Sequence, residues 1–433
     1  MLIFIKNVTV NFSIYMYIEI FIACIITTPR RYNMITKEHI CSICYDYIIP
    51  KWNSLPEDFP DFLPIYTTEE KADNESLLSS LIPEFRNYMI AYHEQPSKEI
   101  ENHIKSKLHD VIDIEHIIHI KEHISKELFS DFEQNLELFL EKTKAFDETL
   151  SPENIWQAMR NYLIYCMIVN LQGEKQNCRD TILGYSLLYP YTDNYIDKLH
   201  RKATDKNSYN QLIRKTLMGE NMIPTNFYEE KTKQLLLLVQ NNYSEDLIRK
   251  ENASFLLLLM LEAQEKSIKQ IHKLGAKKLS TDEILHISVY KGGLSVFIDY
   301  LFSIDFDFSS VTEEEMIFYL CFGLILQLAD DLQDIAEDKK NHSQTLMSYA
   351  KTKDQLEHTV NRLFHFTHTC ILNFSPRNTQ LHTFTLHNCE LMLLAAIAKN
   401  AKYFSKAYLE KIEQHLPFSI SFLEKAKSLK QTL

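Results

Sequence analysis

Five aspartates in this sequence are spaced as if to share cations. In "LLYPYTDNYIDKLHRKA" Asp193 and Asp197 stand four residues apart, and in "QLADDLQDIAEDKK" Asp330, Asp334 and Asp338 repeat at the same interval. On a helix that interval lines side chains along one face. Both stripes emerge from apolar segments, "TILGYSLLYP" and "YLCFGLILQLA", rather than from surface-patterned ones. Carboxylates placed this way repel one another and lose hydration unless a cation lies between them. Magnesium meets that need, because it takes hard oxygen ligands, keeps several waters and binds phosphate groups at the same time. Gln327 precedes the second stripe by one turn, and Asp331 and Glu337 flank it. Either stripe alone reads as a solvated helix end. Two together read as opposite walls of one site for a metal-bound diphosphate.

Between the stripes lies "HISVYKGGLSVFIDYLF", which holds two of the chain's seven glycines, Gly292 and Gly293. Adjacent glycines within a helix cost roughly 1 kcal/mol each against alanine, so this pair predicts a helix break or a close approach of two backbones. Lys291 stands just before the pair, 39 residues ahead of Asp330. Arg201 and Lys202 beyond the first stripe and Lys339 beside the second are further cations, with Asn194 and Gln327 as polar neighbours. The sequence has no GxGxxG and no P-loop. Phosphate would therefore be handled by metal ions and cationic side chains, not by a glycine cradle. Two other constellations carry less. Cys41 and Cys44 form a lone CxxC with no second ligand pair, and His116, His119 and His123 form a stripe on a charged helical pattern.

The elements that must position these residues are helices. Seven glycines in 433 residues are too few for a turn-rich β fold or a doubly wound one. Apolar content of 45% provides for a large core. Helix-period runs occupy about 97–146, 152–172, 177–203, 226–241, 244–273, 281–303, 312–340, 343–373, 378–400 and 404–428. Ser151 with Pro152, "STDE" at 280–283 and "TEEE" at 312–315 are helix-start signals. The prediction is an all-α fold, a single large helical bundle, over 75–433. It is preceded by an irregular connector over 34–74, where prolines fall at 50, 56, 60 and 64, and by an apolar segment over 1–33. That first segment reads either as an anchor or as sequence ahead of a functional start at Met34. A net charge of −12 argues against a general nucleic-acid surface, and the scattered cysteines suit a cytoplasmic protein with reduced thiols.

"DNYID" resembles the first aspartate-rich motif of class I isoprenoid synthases, with Asn194 at the second position, and "QLADDLQDIAED" resembles the second. The run "NYIDKLHRKAT" is similar to the corresponding region of bacterial large-terpene synthases of the tetraprenyl-β-curcumene synthase type. The second motif is also similar to those of trans-prenyl diphosphate synthases and of squalene and phytoene synthases. The 137 residues between Asp193 and Asp330 suit that superfamily, as does the place of Lys291. The likeness implies an isoprenoid-synthase bundle around a central cavity and a prenyl diphosphate substrate. It implies three Mg²⁺ ions held by Asp193, Asp197, Asp330, Asp334 and Asp338, which are also the catalytic set apart from Asp338. Diphosphate contacts would come from Lys291, Arg201, Lys202, Lys339, Asn194 and Gln327. A homodimer, and membrane association through residues 1–33 or a lipophilic product, are further expectations. The sequence departs from the pattern at Asn194 and lacks the Gly-Lys that follows the second motif in chain-elongating synthases. These departures favour a terpene synthase over a prenyltransferase; a non-catalytic helical scaffold is the third reading.

Overall fold

The computed structural model describes residues 35–94, 99, 117, 120–196, 203–270, 278–423 and 425. Among them every regular element is helical. The chain begins with α1 (Lys37–Ser42), a π-helical turn (Ile43–Ile48) and α2 (Ile49–Ser54), followed by α3 (Thr68–Glu94), α4 (Ile120–His123) and α5 (Lys126–Phe146). Next come α6 (Pro152–Leu171), α7 (Asp180–Ile196), α8 (Ala203–Leu217), α9 (Phe227–Asn241) and α10 (Leu247–Ser267). The second half comprises α11 (Thr281–Ser303), α12 (Glu313–Gln333), α13 (Ile335–Asn341), α14 (Leu346–Tyr349), α15 (Lys353–Leu372), α16 (Thr379–Lys399) and α17 (Lys406–His415).

The start signals act as their chemistry predicts. Ser151 caps α6, with Pro152 in its first turn, while Ser280 and Thr312 form full capping boxes with Glu283 and Glu315. The ends depart more from expectation. The run expected over 312–340 breaks at Asp334, which leaves helical geometry at φ −104, ψ 12. The stretch read as an irregular connector is helical over α1, the π-turn and α2, where Ile40, Ile48 and Trp52 are buried. Irregular backbone follows at 55–67 and rests on α15, whose Asn361 Nδ2 donates to Glu57 O at 2.8 Å.

At the centre α11 and α12 cross backbone to backbone. A Cβ on Gly323 would stand 2.1 Å from Gly292 O, and one on Gly292 would stand 2.6 Å from Gly323 O. Of the two outcomes expected for the glycine pair, the close approach is the one found: α11 runs unbroken from Thr281 to Ser303. Nearly all of α11 beyond its first turn is buried, as a helix at the middle of a bundle must be. Helices α6, α7 and α10 pack around α11, while α15 and α16 flank α12. Among the described residues, no helix is long and apolar enough to cross a membrane.

Candidate functional site

The close crossing sets Lys291 beside the second aspartate stripe. Gln327 Cβ occupies the space that a Gly292 side chain would need, 2.6 Å from the position of its Cβ. From there Gln327 Nε2 donates to Asp331 Oδ1 at 2.9 Å. Asp331 is buried, and its Oδ2 has no hydrogen-bond partner. Burial is the main cause that pushes this carboxyl up to about 8; the Gln327 bond and the Lys291 charge oppose the shift. Gln327, expected at the diphosphate, thus secures Asp331, which sequence reasoning had placed only as a flanking residue.

Asp330, Asp334 and Asp338 do not lie on one continuous helix. Asp330 is in the last turn of α12, Asp334 is at the break, and Asp338 is in the first turn of α13. The i→i−4 bonds persist across the break, with Asp334 N–H to Asp330 O and Asp338 N–H to Asp334 O both at 2.9 Å. The three residues consequently keep one-turn spacing along the backbone. Desolvation raises Asp338 to about 6, opposed by a 3.0 Å bond from Thr345 Oγ1, and the charges of Asp334 and Asp330 push it in the same upward direction. Asp330 is also raised, first by desolvation and then by Asp334. Its side chain keeps 56% of its surface open to solvent.

Cations surround the stripe. Arg160 Nη1 of α6 lies 3.9 Å from Asp330 Oδ1, and Lys399 Nζ of α16 lies 3.6 Å from Asp334 Oδ1. Lys291 attracts both Asp330 and Asp331. Lys339 sits over the ring of Tyr403, 4.8 Å from its centroid. Arg160 and Lys399 had no signal in the sequence, because each meets the stripe only through the packing of a separate helix.

The first motif is described in part. Asp193 and Asn194 stand in the last turn of α7, with only their backbone described, and Asp197, Arg201 and Lys202 lie outside the described residues. The turn that carries Asp193 is anchored on both sides. The Tyr191 hydroxyl donates to Asp147, Tyr209 donates to Tyr191 O at 3.1 Å, and Tyr195 stacks on Tyr209 at 4.1 Å. Tyr185 Oη donates to Ser295 O of α11 at 3.4 Å, so α7 meets α11 one turn beyond Lys291. The inner side of α7 also lines a mostly apolar cavity of about 70 Å³, with Leu188, Tyr189 and Thr192 facing Leu236, Leu257 and Met260. Thr192 immediately precedes Asp193.

Deeper in the bundle, Asn161 Nδ2 of α6 donates to Ser186 Oγ of α7 at 3.3 Å and to Asp299 Oδ1 of α11 at 3.2 Å. Burial drives Asp299 well above the usual carboxylate range, and its Oδ2 has no partner. Among the described residues, no three His, Cys, Asp or Glu side chains are gathered to hold a metal ion. His116 and His119 lie outside the described residues, while His123 packs 6.1 Å from the Phe384 ring. Cys41 and Cys44 are free thiols. No protein-family model, curated protein or solved structure matches this chain.

Proposed function

We propose that this protein is a magnesium-dependent class I terpene synthase of the isoprenoid-synthase type. It would ionise a prenyl diphosphate to an allylic carbocation and release pyrophosphate. What supports this reading is that Asp330, Asp334 and Asp338 follow one another at one-turn spacing across the α12–α13 break, where desolvation and then the charge of Asp334 raise both Asp330 and Asp338, with Arg160 3.9 Å from Asp330.

The donor type suits magnesium, although no three carboxylates are gathered around one point among the described residues. The groups are hard carboxylate oxygens whose mutual repulsion a divalent cation relieves. Asp330, Asp334 and Asp338 would hold it, with Asp193 and Asp197 as the opposing ligands. When bound, the metal supplies Lewis-acid stabilisation of a leaving diphosphate. The chain's own residues do the rest. Arg160 would exchange Asp330 for diphosphate oxygens and Lys291 would add a second positive charge, which stabilises charge as it develops on the leaving group. Gln327 and Asp331 keep the Lys291 side of the site fixed. The apolar cavity along α7 receives the start of the hydrocarbon chain next to Asp193 and keeps water from the cation. Tyr185 and Tyr189 in its wall can stabilise positive charge through their ring faces.

A prenyltransferase is the second reading, favoured by the "DDLQDIAED" pattern itself. Product analysis separates the two. The purified chain is incubated with Mg²⁺ and C10 to C35 prenyl diphosphates, with and without isopentenyl diphosphate. Hydrocarbon or alcohol from a single allylic substrate is the expected result. Products that require isopentenyl diphosphate, or head-to-head dimers, would transfer the assignment to the prenyltransferases. A chain inert towards every substrate would be a scaffold.

A further inference from the structure

Away from the aspartate stripe, Cys321 of α12 and Cys370 of α15 border one cavity of about 320 Å³. Both are free thiols. The two helices pack against each other there, and their contact runs in antiparallel register. Phe318, one turn before Cys321, stacks on Phe374, one turn after Cys370, with centroids 3.8 Å apart and planes 9° from parallel. On the next rung inward, Cys321 hydrogen-bonds Cys370. That bond and burial push the Cys321 thiol well above its ordinary range, while the Lys51 charge opposes them. The two sulfurs are unequal in access. Cys321 is 3% exposed, whereas Cys370 is only half-buried. A solute in the cavity therefore meets Cys370 first, with Cys321 directly behind it.

The other groups around the cavity specify the solute. Lys51 of α2 brings a positive charge, and Glu313 and Glu314 in the first turn of α12 bring negative ones. Asn373 adds an amide, and the Phe318–Phe374 pair supplies an apolar surface beside the thiols. Charges of both signs around a thiol suit a small zwitterionic peptide disulfide, with a carboxylate for Lys51 and an ammonium for the glutamates.

We infer that Cys321 and Cys370 form a redox-modifiable dithiol, oxidised by a zwitterionic disulfide of low molecular weight that enters this cavity. The Cys370 sulfur, its proton given to water, attacks one sulfur of the disulfide RSSR and expels RS⁻, leaving a mixed disulfide. The Cys321 sulfur then loses its proton and attacks the Cys370 sulfur, which forms the Cys321–Cys370 bond and expels the second RS⁻. The two RS⁻ take up the two protons. Two protein thiols are thus oxidised, and one disulfide is reduced to two small thiols. Contact between the two cysteines offsets the raised Cys321 thiol in the second step, because adjacent groups react at high effective concentration. The product staples α12 to α15. It involves none of the residues of the synthase reading and stands independently of it.

The test treats the folded full chain with oxidised glutathione, then alkylates, digests and maps it by mass spectrometry. Wild type is expected to yield a Cys321–Cys370 linked peptide that dithiothreitol abolishes. Cys321→Ser should stop with one glutathione on Cys370, and Cys370→Ser should form neither product. Lys51→Glu should slow oxidation by glutathione disulfide severalfold and leave oxidation by neutral hydroxyethyl disulfide unchanged. The wild-type map alone decides whether the bond forms, whatever the stability of the variants. Cys321 and Cys370 both alkylated after treatment, or glutathione persisting on wild-type Cys370, overturns the inference. A linked peptide that forms equally fast in wild type and Lys51→Glu with either disulfide overturns the choice of a zwitterionic oxidant.

Discussion

At the scale of single residues, carboxyls that the fold keeps against their preference dominate the account. Asp330 and Asp338 are crowded by like charges and partly stripped of water. Replacing Asp334 with Asn, or Lys291 with Gln, removes a group that acts on developing charge, and each should slow pyrophosphate release by about 10²–10³-fold. Single-turnover kinetics with an allylic diphosphate would measure this. Asp299 offers a cleaner stability test, being remote from the stripe. Its pKa is raised in the folded state, so the fold binds its proton more tightly than the unfolded chain does. The associated stability is full below the unfolded pKa and falls as pH rises towards the folded one. Asp299→Asn should therefore flatten the decline in unfolding free energy as pH rises above the ordinary carboxylate range, by up to about 1.4 kcal/mol per pH unit. The aspartate stripes were legible in the sequence because i, i+4 spacing is a local property. Arg160 and Lys399 were not, because each meets the stripe only through contacts between elements distant in the chain.

At the scale of elements, the crossing of α11 and α12 sets the site. Glycine at 292 and 323 lets the two backbones meet, with a Cβ on Gly323 only 2.1 Å from Gly292 O. Gly323→Ala should destabilise by about 1–3 kcal/mol or more, because the backbone oxygen it meets cannot turn aside; urea denaturation would read this directly. Activity should fall further than stability alone explains, since Lys291 is displaced from Asp330. The sequence pointed to a close approach at Gly292 and Gly293 but could not name the partner, Gly323, which is a lone glycine in an apolar run. It also missed the break at Asp334. No proline or glycine marks it, and i→i−4 bonds run through it. Ending α12 at Gln333 sets Glu337 and Asp338 in the first turn of α13, and Lys339 and Lys340 in its last. Capping signals, by contrast, depend on three or four consecutive residues, and Ser280 and Thr312 were read correctly.

At the scale of the whole molecule, the all-helical fold followed from glycine scarcity and unbroken helical periodicity, and the described residues form helices throughout their regular elements. The same scale shows a collective pH response. Asp331 is raised from 3.8 to about 8 and Asp338 from 3.8 to about 6, and Asp330, Glu390 and Asp299 are raised too. Lowered carboxyls such as Glu262, below its ordinary 4.5, act only in more acid solution. Without metal, the melting temperature should therefore fall as pH climbs from 5 to 8, and Mg²⁺ should recover part of the loss at pH 8. A Tm independent of pH and Mg²⁺ would show that the carboxylates are neither crowded nor metal-binding. The most direct measurement of the central claim is pyrophosphate release from single allylic prenyl diphosphates, by the wild-type chain in Mg²⁺, in EDTA, and by Asp334→Asn. Release in Mg²⁺ that disappears in EDTA and falls about 10²-fold or more in the variant is the predicted result. No release from any chain length, or release that survives both EDTA and the substitution, would contradict it.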